Sequence, residues 1–472
     1  MSTALVLFRR DLRVADNPAW SAACAEHAHV LPIFIHTNED GPWSTGAASR
    51  WWLHHSLSSL DRNLRASGAG LHLSRGDPLD VLRALVRRSG AAAVYWNRRY
   101  EPATVAHDTQ IKSALQDDGI AVHSHNAALW CEPWRIATQQ GHPYKMFTPY
   151  WHNLRSQLQM VAPLPVPRVP GWHQLPDCLP LAALELLPRI PWADGLAASW
   201  RPGEAGAQEL LEIFADDAIN DYASARDFPA RHGTSRMSPH LHFGEVSPRQ
   251  IHFELDRLAR RMDVPRRPDL EPYLRELGWR EFAHHLLFHF PHTPTESFNP
   301  RFKDFKWAPR DEALVARWQQ GRTGIPLVDA GMRELWHTGW MHNRVRMIVA
   351  SFLTKNLRQH WQHGARWFWD TLVDADLANN TLGWQWVAGC GADAAPYFRV
   401  FNPVTQAKRF DPDGVYLRRW LPELATASIT QLHEPWKDAA LLGRCGYPAP
   451  IVDLGVSRQQ ALSAYGVGSR AP

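Results

Sequence analysis

Short apolar runs separated by amphipathic stretches mark the first quarter of the chain, at 4–8, 30–35, 71–73, 91–96 and 120–122. Runs that are apolar on both faces are what a helix-covered parallel sheet requires, so each predicts a buried strand. Between them, Asn17 followed by Pro18 opens one helix, and 47–65 and 78–88 carry the 3.6-residue periodicity of two more. The alternation predicts a doubly wound parallel-sheet α/β domain over 1–130. From 161 to 191 the prolines Pro163, Pro165, Pro167, Pro170, Pro176, Pro180, Pro188 and Pro191 forbid a long helix or a central strand. This stretch reads as part of a wrapping linker spanning 131–203. Beyond Gly203 the pattern turns helical and aromatic, with breaks at Gly233, Pro239, 291–300, 321–326 and Pro396. A second, mostly α-helical domain over 204–472 follows.

Composition narrows the class. Hydrophobic residues make up 45% and charged residues 21% of the chain, the balance of a globular protein. The 23 tryptophans point either to stacking and electron transfer or to an aromatic helical core. A net charge of +4 is compatible with a polyanionic partner without requiring one. Cys24, Cys131, Cys178, Cys390 and Cys445 form no CxxC pair, so neither a metal site nor a disulfide framework is expected. A reducing cytoplasmic setting fits that usage, and no long apolar run suggests export or membrane spanning. After the first strand stands Phe8-Arg9-Arg10-Asp11-Leu12-Arg13, without the glycines that bring a backbone against a pyrophosphate. A conventional dehydrogenase is thereby disfavoured.

Three segments carry candidate chemistry. Thr234-Ser235-Arg236-Met237-Ser238-Pro239 sets three hydroxyls and a guanidinium at a helix entry, suited to a diphosphate or simply to helix capping. His342-Asn343-Arg344-Val345-Arg346-Met347 precedes Asp374-Ala375-Asp376-Leu377-Ala378-Asn379-Asn380 and Gly383-Trp384-Gln385-Trp386. Asp374 and Asp376, two apart, do not face each other on a helix. They fit a turn from which one pairs with Arg346, in a polar site or in an ordinary salt-bridged junction.

With Trp279-Arg280-Glu281-Phe282, Thr338-Gly339-Trp340-Met341-His342-Asn343-Arg344 and Phe401-Asn402-Pro403, these segments resemble the DNA photolyase/cryptochrome family over nearly the whole chain. The resemblance implies an N-terminal α/β domain and a helical domain that binds FAD in a folded form. It implies that Tyr222, Thr234, Ser235, Arg236, Met237 and Ser238 hold the FAD phosphates and ribityl chain. Arg280, Asn343, Arg346, Asp374, Ala375 and Asp376 would surround the flavin. Asn380 matches the position facing flavin N5, where a neutral amide accepts a hydrogen bond from protonated N5; plant cryptochromes of the family carry Asp there. Trp384, Trp361 and Trp307 match the family's electron-transfer chain.

The resemblance also implies light-dependent repair of cyclobutane pyrimidine dimers in UV-damaged DNA, a carbon–carbon lyase reaction driven by photoexcited reduced FAD. On a helix opened by Pro272, Glu276, Trp279, Arg280 and Ala283 share a face. In dimer photolyases the matching Glu contacts the bases and the matching Trp stacks on them. A protonated Glu276 beside apolar rings would donate to a base carbonyl. Asn343 stands where photolyases of the other major lesion have His, so Asn343 and Met347 favour the dimer class. Trp386 matches a lesion-pocket position, and Gln406 a DNA contact. Arg344, with Arg226, Arg231, Lys408 and Arg409, is a candidate for phosphate contacts. Extrusion of the damaged base is general to photolyases. The alternative is a cryptochrome-type photoreceptor without repair activity.

Two departures stand out. Tyr273 occupies a usual Trp position, and 295–302 is unlike the family's folate-contacting segment, although Asn97 to Glu101 keeps part of the other half. An antenna chromophore is therefore expected to be methenyltetrahydrofolate rather than a deazaflavin, if one is bound. The protein is expected to act as a monomer.

Overall fold

A computed structural model describes residues 2–37, 43–159, 161–261, 268–394 and 398–468. The predicted break at Pro396 lies outside these residues. The chain divides into two compact units, each discontinuous in sequence. Unit 1 comprises Met1–Tyr144, Thr148–Asn220 and Ser235–Pro291, and unit 2 comprises Lys145–Phe147, Asp221–Thr234 and His292–Pro472. The divisions at 130 and 203 read from composition follow chain order, whereas the units follow packing.

Unit 1 is built on five parallel strands, β1 (Thr3–Leu7), β2 (His29–His36), β3 (His72–Arg75), β4 (Ala91–Asn97) and β5 (Ala121–His125). Their order is β3-β2-β1-β4-β5, with β1 in register Leu5↔Leu31 and Leu5↔Val94. The central strands are buried on both faces, and the core runs through Leu5, Leu7, Leu31, Ile33, Val94 and Trp96. The crossover helices are α1 (Pro18–Glu26), α2 (Ala47–Ala66), α3 (Pro78–Ser89) and α4 (Pro102–Asp117). Asn17 Oδ1 caps α1 by accepting the Trp20 N–H at 3.1 Å, with Pro18 in the first turn. Asp77 caps α3, and Gly90 closes it in the left-handed conformation. The proline-rich stretch lies along the sheet: the Val30 N–H donates to Gly171 O and the Leu179 N–H to Leu73 O. Its described residues contain a short 3-10 helix, Leu181–Leu184, and one β-bridge at Trp172.

The residues standing where a glycine fingerprint would lie serve unit 1 itself. Arg9 pairs with Asp108 at 2.6 Å, and Asp11 Oδ2 accepts the Asn97 amide at 2.6 Å. Arg13, buried, donates to the carbonyls of Asp16, Gly244 and Ala127. Unit 1 also holds helix α5 (Glu271–His289), which packs so closely on Trp151 that a Cβ at Gly278 would lie 2.4 Å from the indole.

Unit 2 contains α6 (Pro326–Thr338), α7 (Asn343–Ser351), α8 (Trp361–Thr371), α9 (Leu377–Ala388) and α10 (Pro403–Phe410). Helix α7 packs on α6 and α9, and α8 on α9. A π-helical turn, Phe352–Asn356, extends α7, and its buried Lys355 donates to Ala388 O at the C-terminus of α9, 2.7 Å away. Among the described residues no helix is long and apolar enough to cross a membrane, and all five cysteines are free.

Candidate functional site

In unit 1 the Ser235-Arg236-Met237-Ser238 loop is set by a left-handed Arg236, with φ of 53°. The Ser235 hydroxyl oxygen accepts the Met237 N–H at 3.4 Å and the Tyr273 O–H at 3.1 Å. Tyr273 in turn packs on Phe214, ring centroids 4.6 Å apart. The Tyr273 phenol therefore anchors the hydroxyl loop. The Arg236 guanidinium lies 4.1 Å over the Trp200 ring. The N-cap of the short helix Ser238–His242 falls on Met237, which makes no side-chain capping bond, so capping by a hydroxyl at that position is excluded.

Helix α5 buries Leu274, Leu277, Gly278 and Phe282 and leaves Glu276, Trp279 and Arg280 half-buried on one stripe. Trp279 is held edge-on by Phe282 at 5.9 Å. Arg280 donates to Ala128 O at 2.8 Å and lies 3.6 Å from Glu281 Oε1. Glu281, which motif reading quoted without giving it a role, is the buried carboxyl of this helix. Its Oε2 accepts the Trp130 and Cys131 N–H groups, while Oε1 has no hydrogen-bond partner among the described residues.

Burial pushes the Glu281 carboxyl up to about 7, against the opposing pull of Arg280 and the two N–H donors. A raised folded-state value means stability present at low pH and lost as pH climbs from the unfolded value of 4.5 through about 7. Glu281→Gln is expected to remove most of that slope, worth at most roughly 3 kcal/mol across the window. Denaturant unfolding at stepped pH measures it; an unchanged slope in the variant would assign the dependence elsewhere.

In unit 2, His342 caps α7 by accepting the Arg344 N–H on Nδ1 at 3.2 Å, and burial lowers its imidazole to about 4. The first residue of the helix, Asn343, is exposed, and Met347 follows one turn later on the same face. Arg344 is held by Asp227 and stacks 4.5 Å over Phe410, which Arg409 also approaches. Asp227 is a partner that motif reading missed. Lys408 is paired with Glu434 at 2.6 Å, so part of its charge is already met by a carboxylate. Tyr222 is buried, with Arg226 5.3 Å over its ring, and Thr234 is half-buried. Gln406 is half-buried on α10.

The expected pairing of Arg346 is present: Nη2 meets Asp374 Oδ2 at 2.9 Å, and Nε donates to Met341 O at 2.7 Å. Ala375 is buried, and Asp376 caps α9 by accepting the Asn379 N–H at 2.9 Å. Asn380 follows in the first turn of the helix. Its Nδ2 donates to Ala365 O at 3.0 Å, which fixes the amide and leaves Oδ1 to accept. These groups supply anionic, cationic and neutral amide functions of the kind a flavin's polar edge needs, so they fit that group.

Trp384 and Trp361 are buried and Trp307 is half-buried. Among the described residues the three rings make no mutual ring contact. Trp384 meets Phe368 at 5.0 Å and Trp318 at 6.2 Å, while Trp361 meets His360. Trp307 meets Phe305 and His360. Trp386 donates its indole N–H to Asp393 O at 3.1 Å. A Cβ at Gly364 would lie 1.9 Å from the Trp384 ring, so Gly364→Ala is expected to displace that ring at a cost of about 1–3 kcal/mol. Thermal unfolding and near-ultraviolet circular dichroism measure the cost and the shift; a variant with both unchanged would contradict the contact.

Residues 273–467 match the family described as the FAD binding domain of DNA photolyase, and residues 4–170 match the family described as DNA photolyase. Deoxyribodipyrimidine photo-lyase of Agrobacterium fabrum is 45% identical over 471 residues, covering 98% of this chain and 97% of the relative. Cryptochrome-2 of Arabidopsis thaliana is 38% identical, covering 96% of this chain and 77% of the relative. The crystal structure of a bacterial class III photolyase from Agrobacterium tumefaciens superposes with a TM-score of 0.94 at 43% identity, covering 100% of this chain and 98% of the other. On identity sustained along its whole length, the chain belongs to the DNA photolyase/cryptochrome family.

Proposed function

We propose that this protein is a deoxyribodipyrimidine photo-lyase that repairs cyclobutane pyrimidine dimers in UV-damaged DNA under blue light. The observation that carries the reading is the stripe of α5, where Glu276, Trp279 and Arg280 stand together, half-buried, on a helix whose Leu274, Leu277, Gly278 and Phe282 are buried. When bound, FAD supplies a photoexcitable one-electron donor. Tyr222, Thr234, Ser235, Arg236, Met237 and Ser238 would hold its diphosphate and ribityl chain. Arg280, Arg346, Asp374, Ala375, Asp376 and Asn380 bind the flavin. Glu276 contacts the pyrimidine bases, Trp279 and Trp386 pack on the lesion, and Asn343 and Met347 select the dimer over the other major lesion. Arg344 and Gln406 contact the DNA. Asn380, a neutral amide where the family's plant cryptochromes carry Asp, favours repair over the photoreceptor reading.

We further propose a cytoplasmic monomer with a folate antenna, methenyltetrahydrofolate rather than a deazaflavin, on the strength of the Asn97 to Glu101 match. The binding reading is tested by comparing dimer-containing and undamaged oligonucleotides of one sequence. Tighter binding of the damaged strand, weakening steeply with salt, is expected. Equal affinity for both would favour the photoreceptor.

A further inference from the structure

We propose that His360 is the bridging ring of the tryptophan chain, carrying an electron across the gap between Trp307 and Trp361. This inference rests on the chain reading of Trp384, Trp361 and Trp307. The His360 imidazole lies 5.0 Å from the Trp307 ring and 5.7 Å from that of Trp361, stacked on the latter at 30°. Neither indole has another indole within ring contact among the described residues, so the imidazole is the aromatic group common to both. Its placement is built. His360 caps α8, with Nδ1 accepting the Gln362 N–H at 3.3 Å, and the Ala308 N–H donates to Arg358 O at 2.9 Å, fixing the Trp307 segment beside it.

The electrical state of the bridge suits an outward-moving hole. Burial, with help from His363 and Arg366, lowers the imidazole to about 4, so it is uncharged at neutral pH and does not repel positive charge on either indole. The fully buried Trp361 Nε1 has no hydrogen-bond partner among the described residues, so an oxidised Trp361 has no acceptor for its proton and keeps it. The balance is then simple. The photoexcited flavin of FAD is the oxidant at the inner end. One electron leaves Trp307 and fills the hole on Trp361, which returns to its neutral form with its N–H intact. The oxidised, half-exposed Trp307 releases its indole proton to water.

Two substitutions in the FAD-loaded protein separate the ring from the cap. His360→Asn keeps a side chain that caps α8 and removes the ring, whereas His360→Phe keeps a ring and removes the cap. Transient absorption should show a several-fold loss of the long-lived neutral Trp307 radical in His360→Asn and a yield near that of the parent in His360→Phe. An unchanged yield in His360→Asn, or equal losses in both variants, would overturn the bridge. Trp361→Phe distinguishes the two levels of the argument. If it leaves the radical intact, the chain reading itself fails; if it removes the radical while His360→Asn does not, the bridge alone fails. In the dark, the His360 ring proton resonances should be shifted upfield by the two indoles, and ordinary shifts would count against the stacking.

Discussion

Trp384→Phe is expected to reduce light-driven reduction of bound FAD to background while leaving chemically reduced protein competent in repair. Asn380 and Trp384 are one turn apart on α9, so an amide directed at the flavin places the indole beside it on the same face. Trp384 is buried, with its ring against those of Phe368 and Trp318. The loss should appear in the spectrum of the flavin under illumination with an external thiol, not in DNA affinity. Undiminished photoreduction would show that electrons reach the flavin by another path.

Glu276→Ala should cost repair on the order of a hundredfold, the scale for removing one polar group aimed at the reacting centre. DNA binding should weaken by less than about tenfold, as for one hydrogen bond at a contact made by many other groups. The reason lies in the α5 stripe: Glu276 shares it with Trp279 and Arg280 and is half-buried, exposed enough to leave the helix fold untouched when truncated. Single-turnover repair with pre-reduced protein and equilibrium binding to the same oligonucleotide read the two effects separately. Equal losses in both would make Glu276 a binding residue without a special part in ring opening.

The hydrophobic pattern located all five strands, because a parallel sheet buries both faces and leaves no polar interruptions in β1, β2 and β4. It stopped short at β3 and β5, whose His-Leu-Ser-Arg and Ala-Val-His-Ser-His strands lie at the sheet edges and tolerate polar residues. Caps were legible where a single side chain closes a local turn, as at Asn17. The two units were not, since residues 235–291 join the sheet-bearing unit through packing between distant segments, such as Trp151 on Gly278.

At the candidate site, motif reading found Arg346 and Asp374, which meet, but not the groups that position the motif residues. The Tyr273 hydroxyl on Ser235, Asp227 on Arg344 and the His360 imidazole beside Trp307 are contacts between segments that no spacing rule connects. Glu281 escaped notice for a related reason. Burial raises its carboxyl, and the Trp130 and Cys131 N–H groups that bind it and oppose the rise lie far away in sequence.

The central claim is met most directly by absorbance of an oligonucleotide carrying a thymine cyclobutane dimer, mixed with reduced, FAD-loaded protein and illuminated with blue light. Recovery of thymine absorbance that requires both light and reduced flavin is the expected result. No recovery, from protein that binds FAD and photoreduces it, would contradict the repair assignment and leave a photoreceptor in its place.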